Sequence, residues 1–181
     1  MKYLTSLILL SAATAAQANP QTYAGQQQRQ IKSLSVEETK ALREGAGLGF
    51  ARAAELNHFP GPMHVLELAA PLDLTPSQRL DIAQLMARHK TEARALGAEV
   101  VRLEAELDAL FAGGKPAIDT VEAKTAEIGL AQARYRASHL TTHIATARLL
   151  TGEQIARYDR LRGYAGSTAP DGASDDHQHA H

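Results

Sequence analysis

The sequence predicts an all-α protein, on three observations. Helix-forming Ala, Leu, Glu, Arg and Gln are abundant, whereas only 4% of the residues are aromatic and none is Trp. Apolar residues recur at steps of three and four along two long stretches, which is the spacing of one helix face. The helix-start motif Leu-Thr-x-x-Gln occurs twice, at 74–78 and 150–154. Together these features predict a long antiparallel helical hairpin with flanking short helices.

The first eighteen residues have the pattern of a signal peptide. Lys2 supplies a positive charge, residues 3–13 form an apolar core, and Ala16-Gln17-Ala18 is a small-x-small cleavage signal. A membrane span needs ~20 apolar residues, and this run is shorter. We therefore expect export with cleavage of this peptide and no stable membrane insertion; the alternative is an uncleaved anchor.

The composition excludes several classes of function. Cysteine is absent, so thiolate chemistry and disulfides are excluded. The formal net charge is −1, which does not favour nucleic acid as a partner. No Gly-x-Ser-x-Gly or His-Glu-x-x-His motif occurs, and Glu55-x-x-His58 is a single copy where a di-iron bundle needs two. We expect that the protein is not an enzyme.

A single all-α domain is predicted for 35–164, preceded by a flexible, Gln-rich arm at 19–34. Ser35 and Glu38 form a capping-box pattern that starts the first helix. Glycines at 45, 47 and 49 interrupt it and are typical of a hinge, since neither a strand nor a Gly-Lys-Ser/Thr sequence flanks them. Helical spacing resumes at 50–57 and stops at the Pro-Gly-Pro of 60–62.

The first long helix should begin after Thr75, which is a good N-cap, with Pro76 at the first helical position and Gln78 closing a capping box. Glycines 113 and 114 end it. Its apolar residues alternate steps of four and three, which predicts packing against a partner helix along the whole length. This seam comprises Ile82, Met86, His89, Ala93, Leu96, Val100, Leu103, Leu107 and Leu110.

A second long helix is predicted from about 118 to 149 and carries two stripes, so we expect it to be covered on two sides. Thr151 and Gln154 then repeat the capping box and start a last short helix that ends near Tyr164. Residues 165–181 have the composition of a disordered tail. The main apolar stripe of the second long helix comprises Ala123, Ala126, Leu130, Ala133, Ala137, Leu140, Ile144 and Ala147, and the flanking stripe comprises Ile128, Gln132, Tyr135 and His139.

Two Leu-Thr-x-x-Gln motifs at the ends of a helical hairpin behind a signal peptide resemble the periplasmic Spy/CpxP family, including its ZraP-like and CnrX-like metal-responsive members. The likeness covers roughly 60–164. It implies a cradle-shaped homodimer in the envelope stress response or in heavy-metal resistance. Such a protein acts as an ATP-independent chaperone, a stress-signalling modulator or a metal sensor.

Histidines supply the candidate metal ligands. His139 and His143 are one helical turn apart, so both imidazoles can reach one ion. If the hairpin turns near residue 114, His89 lies at the same height, and Met86 falls level with His143. Imidazole and thioether ligands suit Cu, Zn, Ni or Co, and His64 is a further candidate. The alternatives are that His89 is a hydrogen-bonded core residue, that Met86 is plain packing, and that the His139/His143 pair belongs to a surface or an interface.

The tail offers a second, weaker set of ligands. His177, His179 and His181 alternate, so two or three imidazoles of a flexible chain can reach one ion. Such a tail lacks supporting hydrogen bonds, so we expect a low-affinity collector.

The sequence therefore predicts a non-enzymatic periplasmic stress protein that binds a transition metal ion and also unfolded or partner proteins. Two alternatives stay open. One is a metal-independent holdase that grips unfolded periplasmic chains, and the other is a modulator that docks on a membrane sensor kinase or anti-sigma partner.

Overall fold

A computed structural model describes residues 23–165. The predicted signal peptide, the first residues of the predicted arm, and the predicted ligands His177, His179 and His181 lie outside the described residues.

The described residues form six α-helices and contain no β-strand, which confirms the all-α fold class. A short 3-10 turn at Gln26–Gln28 precedes them. None of the helices in residues 23–165 is long and apolar enough to cross a bilayer. In chain order the helices are α1 (Val36–Glu44), α2 (Arg52–Glu55), α3 (Pro62–Glu67), α4 (Pro76–Ala112), α5 (Ile118–Arg148) and α6 (Gly152–Arg162).

The end of the arm predicted to be flexible packs against α4. Ile31 is only 5% exposed and belongs to the main apolar core. Two polar contacts hold its neighbours: the backbone N–H of Lys32 donates to Asp108 at 3.2 Å, and the Ser33 hydroxyl donates to Glu104 at 2.7 Å. One buried isoleucine in a polar stretch has no periodic neighbours, so the sequence pattern does not reveal it.

Helix α5 runs back beside α4, as contacts at three heights show. Lys124 Nζ lies 2.9 Å from a Glu106 carboxylate oxygen near the turn, and the rings of His89 and His139 touch midway. At the far end the side-chain amide of Gln78 donates to the carbonyl of Leu149 at 2.8 Å. The apolar seam predicted for α4 faces this contact, since all nine of its members are buried or half-buried.

The main stripe predicted for α5 is largely on the outside of the molecule. Leu130 is 53% exposed and Ile144 is 39% exposed. Helix α5 has one long neighbour, α4, and can therefore bury only one face against it. Burying the face that carries the large ring of Tyr135 removes more apolar area from water than burying the alanine-rich stripe would. The buried residues of α5 are Ile128, Ala131, Tyr135, Ser138, His139, Thr142 and Thr146.

Helix α1 crosses α4 at a glycine. A Cβ atom added to Gly97 would stand 1.9 Å from the carbonyl oxygen of Leu42, far inside van der Waals contact. Only a residue without a side chain permits this approach, which brings α1 and the glycine-rich segment behind it over the α4–α5 pair.

The two Leu-Thr-x-x-Gln motifs form capping boxes and also bind each other. Thr75 and Thr151 accept from the backbone N–H groups of Gln78 and Gln154, and each glutamine carbonyl accepts from the backbone N–H of its own threonine. The two glutamine amides then pair, with Nε2 to Oε1 distances of 2.9 and 3.1 Å. The motifs therefore join the start of α4 to the start of α6, a contact that capping alone does not predict.

Candidate functional site

A cavity of about 280 Å³ lies where the segment from Gly47 to His64 crosses the open end of the α4–α5 pair. Three of the five described histidines are on its wall, so we name it the histidine cavity. It is lined by Gly47, Leu48, Gly49, Ala51, Arg52, Glu55, Gly61, Pro62, Met63, His64, Met86, His89, Thr142, His143 and Arg162.

His89 and His139 meet behind the wall of the histidine cavity. Their ring centroids are 4.5 Å apart with the planes nearly perpendicular, and both side chains are buried. A methyl carbon placed on Gly47 of the cavity wall would be 3.5 Å from the His139 ring. The two imidazoles therefore form one buried pair, with His89 on the cavity side.

His139 holds a buried nitrogen that has no partner. Its Nδ1–H donates to the backbone carbonyl of Tyr135 at 3.0 Å, and because a carbonyl only accepts, the proton is on Nδ1. In the neutral imidazole, Nε2 is then the lone-pair acceptor. It is buried and makes no hydrogen bond within residues 23–165. Leaving such an atom unsatisfied costs about 1–3 kcal/mol, so packing alone does not account for a histidine here.

His89 is kept neutral by its surroundings. Burial is the main cause that lowers its pKa to about 4, and the neighbouring charges of His139 and His143 lower it further. Its Nδ1 lies 3.3 Å from the hydroxyl of Ser138, while the imidazole reaches the cavity wall. A neutral imidazole is the form that coordinates metal ions.

His143 is fixed in the same way as His139. Its Nδ1–H donates to the carbonyl of Phe59 at 2.8 Å and lies 3.5 Å from a carboxylate oxygen of Glu55. A Cβ atom on Gly61 would be 3.0 Å from Nε2 and 2.9 Å from Cε1, so a glycine at this position makes room for the ring. Nε2 of His143 therefore lies against the glycine of the crossing segment.

The Glu55 carboxylate holds the crossing segment in place. It accepts from the backbone N–H of Gly61 at 3.1 Å and from the hydroxyl of Tyr158, and Arg162 Nε lies 3.9 Å away. Burial raises the pKa of the Tyr158 hydroxyl, and the hydrogen bond to Glu55 raises it further. Glu55 therefore joins α2, α3 and α6, and it orients His143.

The structure brings the predicted ligands together in part. Met86, His89, His143 and His64 line the histidine cavity, and His139 lies directly behind His89. His64 is itself oriented by Glu67, whose carboxylate accepts from Nδ1 at 2.9 Å. Within residues 23–165, no three His, Asp or Glu side chains converge closely enough to hold an ion.

Four residues of the site escaped the sequence analysis, namely Glu55, Gly61, Met63 and Arg162. Glu55 was set aside as half of an incomplete di-iron pattern, and the other three showed no metal motif at all. Glu55, Gly61 and Met63 belong to a segment whose helical period is broken by two prolines, and Arg162 ends α6, so nothing in the sequence indicates that these residues meet beside the histidines.

Comparison with known proteins adds no identification, because no protein-family model, curated protein or solved structure matches this chain.

Proposed function

We propose that this chain is a non-enzymatic periplasmic stress protein of the Spy/CpxP type that binds a transition metal ion at the histidine cavity. The observation that carries the proposal is the unpartnered Nε2 of His139, buried against a second neutral imidazole beside a cavity that holds two more. The hairpin-and-cradle architecture, the homodimer and the periplasmic location are part of the same proposal.

The hydrogen bonds around the histidines support metal binding. Metal-binding histidines commonly donate their second ring N–H to a carbonyl or carboxylate, which fixes the ring and leaves the other nitrogen for the ion. His64, His139 and His143 all have Nδ1 engaged in this way. The candidate ligands are His89, His139 and His143, with Met86 and His64 as further ligands from the cavity wall. Because no three His, Asp or Glu side chains of residues 23–165 converge on one point, these side chains would have to reorient to bind one ion.

A titration tests the proposal. The tail-silenced variant, with His177, His179 and His181 replaced by Ala in the full chain, removes the collector. We expect this variant to bind at least one of Cu, Zn, Ni and Co with a Kd of about 1 µM or tighter. Adding His139→Ala and His143→Ala should weaken that binding about 100-fold, which corresponds to ~2.8 kcal/mol.

The matched control is His58→Ala, which removes an imidazole that contacts Asp159 and does not line the histidine cavity. It should leave the affinity within about threefold, a change of under 1 kcal/mol. Binding no tighter than about 1 mM in the tail-silenced variant would refute the proposal.

A metal-independent holdase is a second candidate, favoured by the exposed stripe of α5. Leu130, Ile144 and the helix-start residue Ile118, which is 78% exposed, offer apolar surface to an unfolded chain. Suppression of the aggregation of an unrelated unfolded protein without ATP, and its loss in Leu130→Lys, would support this function. Equal suppression by the variant and the parent protein would exclude the stripe.

A further inference from the structure

The chain has three methionines, and both of those that follow the initiator line the histidine cavity. Met63 lies in the first turn of α3 and Met86 lies in α4. These helices approach the cavity from different sides, so the two thioethers are not neighbours by sequence alone. Thioether sulfur is a soft ligand that favours monovalent copper over harder divalent ions.

Each methionine has a histidine beside it. Met86 and His89 are three residues apart on α4 and therefore share one side of that helix, and His64 follows Met63. All four residues are on the cavity wall. The wall thus offers a thioether and an imidazole from each of the two helices.

The oxygen ligand that a harder ion would need is already engaged. The Glu55 carboxylate accepts from Gly61 and Tyr158 and lies beside the guanidinium of Arg162, which also lines the cavity. The carboxylate and the guanidinium balance each other, so their pair provides no net negative charge for a dication. Electrostatic energy scales with the charge of the ion, so neutralising the carboxylate takes less attraction away from a monovalent ion than from a divalent one.

We propose that the histidine cavity is selective for Cu(I), held by the thioethers of Met63 and Met86 together with imidazole nitrogen from His89 and His143. This inference rests on the proposed function, since it names the ion that the same site takes. The copper enters and stays as Cu(I), and no electron transfer is involved.

The test is an anaerobic competition for Cu(I) between the tail-silenced variant and a chromogenic Cu(I) chelator, with a separate titration of Zn(II). Replacing both methionines by Leu keeps their volume, a swap that proteins tolerate well. We expect Met63→Leu with Met86→Leu to weaken Cu(I) binding about 100-fold and to change Zn(II) binding less than about threefold.

The matched control places a thioether elsewhere. Leu80 is 58% exposed on α4 and does not line the cavity, so Leu80→Met adds a sulfur without adding a ligand. Its Cu(I) affinity should equal that of the tail-silenced parent. A second measurement needs no substitution in the cavity: X-ray absorption at the copper edge of the Cu(I)-loaded parent should show sulfur in the first coordination shell.

The results of these experiments distinguish failure of the Cu(I) selectivity from failure of the proposed metal site. Absence of binding by every metal tested would overturn both. Cu(I) binding that is unchanged by the double methionine substitution, a first shell of nitrogen alone, or tighter binding of Zn(II) than of Cu(I) would overturn the selectivity and leave the metal site standing.

Discussion

The buried face of α5 has two halves of opposite character. Ile128, Ala131 and Tyr135 belong to an apolar cluster with α1 and α4, whereas the half that follows buries Ser138, His139, Thr142 and Thr146. Both halves lie on one face of one helix. Each buried polar side chain of the second half therefore needs a hydrogen-bond partner to offset the cost of its burial.

The threonines of the polar half are satisfied within the helix. Thr142 donates to the carbonyl of Ser138 at 2.8 Å, and Thr146 donates to the carbonyl of Thr142 at 2.9 Å. His139 differs, because its Nε2 has no such partner among the described residues. The comparison teaches that the histidine, rather than polarity in general, is what packing leaves unexplained.

The largest loss of stability is expected at the close contact between α1 and α4, beside the apolar half of α5. Gly97→Ala should destabilise the protein by about 3 kcal/mol, because its Cβ would collide with the Leu42 carbonyl and would lie 3.1 Å from the Tyr135 ring. Urea unfolding followed by circular dichroism measures the change. Gly129→Ala is the control: a Cβ there has no heavy atom within 4 Å, so helix propensity alone should stabilise α5 by about 0.5–1 kcal/mol. Equal effects at the two glycines would contradict the described crossing of α1 over α4.

A smaller effect is expected from pH in the metal-free protein. The pKa of His89 is about 4 when folded and 6.5 when unfolded, so between these values the unfolded chain binds a proton that the folded chain does not. The stabilisation is present above about pH 6.5 and is lost as the pH falls towards 4. At 1.36 kcal/mol per pKa unit this difference corresponds to about 3.4 kcal/mol. Because His89 is on the wall of an open cavity, we expect a smaller loss of roughly 2 kcal/mol.

The comparison variant for this pH effect is His89→Gln, which cannot titrate. Its unfolding free energy, measured at pH 7.5 and pH 4.5, should fall less than that of the parent protein. An identical fall in the two proteins would show that the buried pair is not the source.

The smallest effect sharpens the contrast between the halves. His139→Leu removes an unsatisfied buried nitrogen and replaces it with apolar volume, so the metal-free protein should be as stable as the parent or more stable by about 1 kcal/mol. Metal binding should weaken in the same variant. Thermal melts with and without metal check both statements. A clear loss of metal-free stability would identify His139 as an ordinary core residue.

The parts of the fold that rest on local rules could be predicted from the sequence. Capping boxes at Thr75 and Thr151 depend on residues three positions apart, and the seam of α4 depends on a period that its sequence repeats without a break. Both stripes of α5 were expected to be covered, and the main stripe is instead largely exposed. The helix has one long neighbour, and the face that it buries depends on which residues α4 presents.

Only the residues of the candidate site that lie on the two long helices could be predicted from the sequence. The spacing of His139 and His143 and the register with His89 follow from helical rise. Met63 and Glu55 come from a segment broken by prolines, and its position is set by tertiary bonds to Tyr158 and His143 that no local pattern encodes.

The most direct test of the central claim is a long-range proton–nitrogen NMR spectrum of the imidazoles in the tail-silenced variant, before and after one equivalent of Zn(II) or of Ag(I), a redox-inert stand-in for Cu(I). We predict protons on Nδ1 of His139 and His143, unprotonated Nε2 atoms, and a shift of at least one of those Nε2 signals when at least one of the ions binds. Protons on Nε2, or Nε2 signals that neither ion moves, would contradict it.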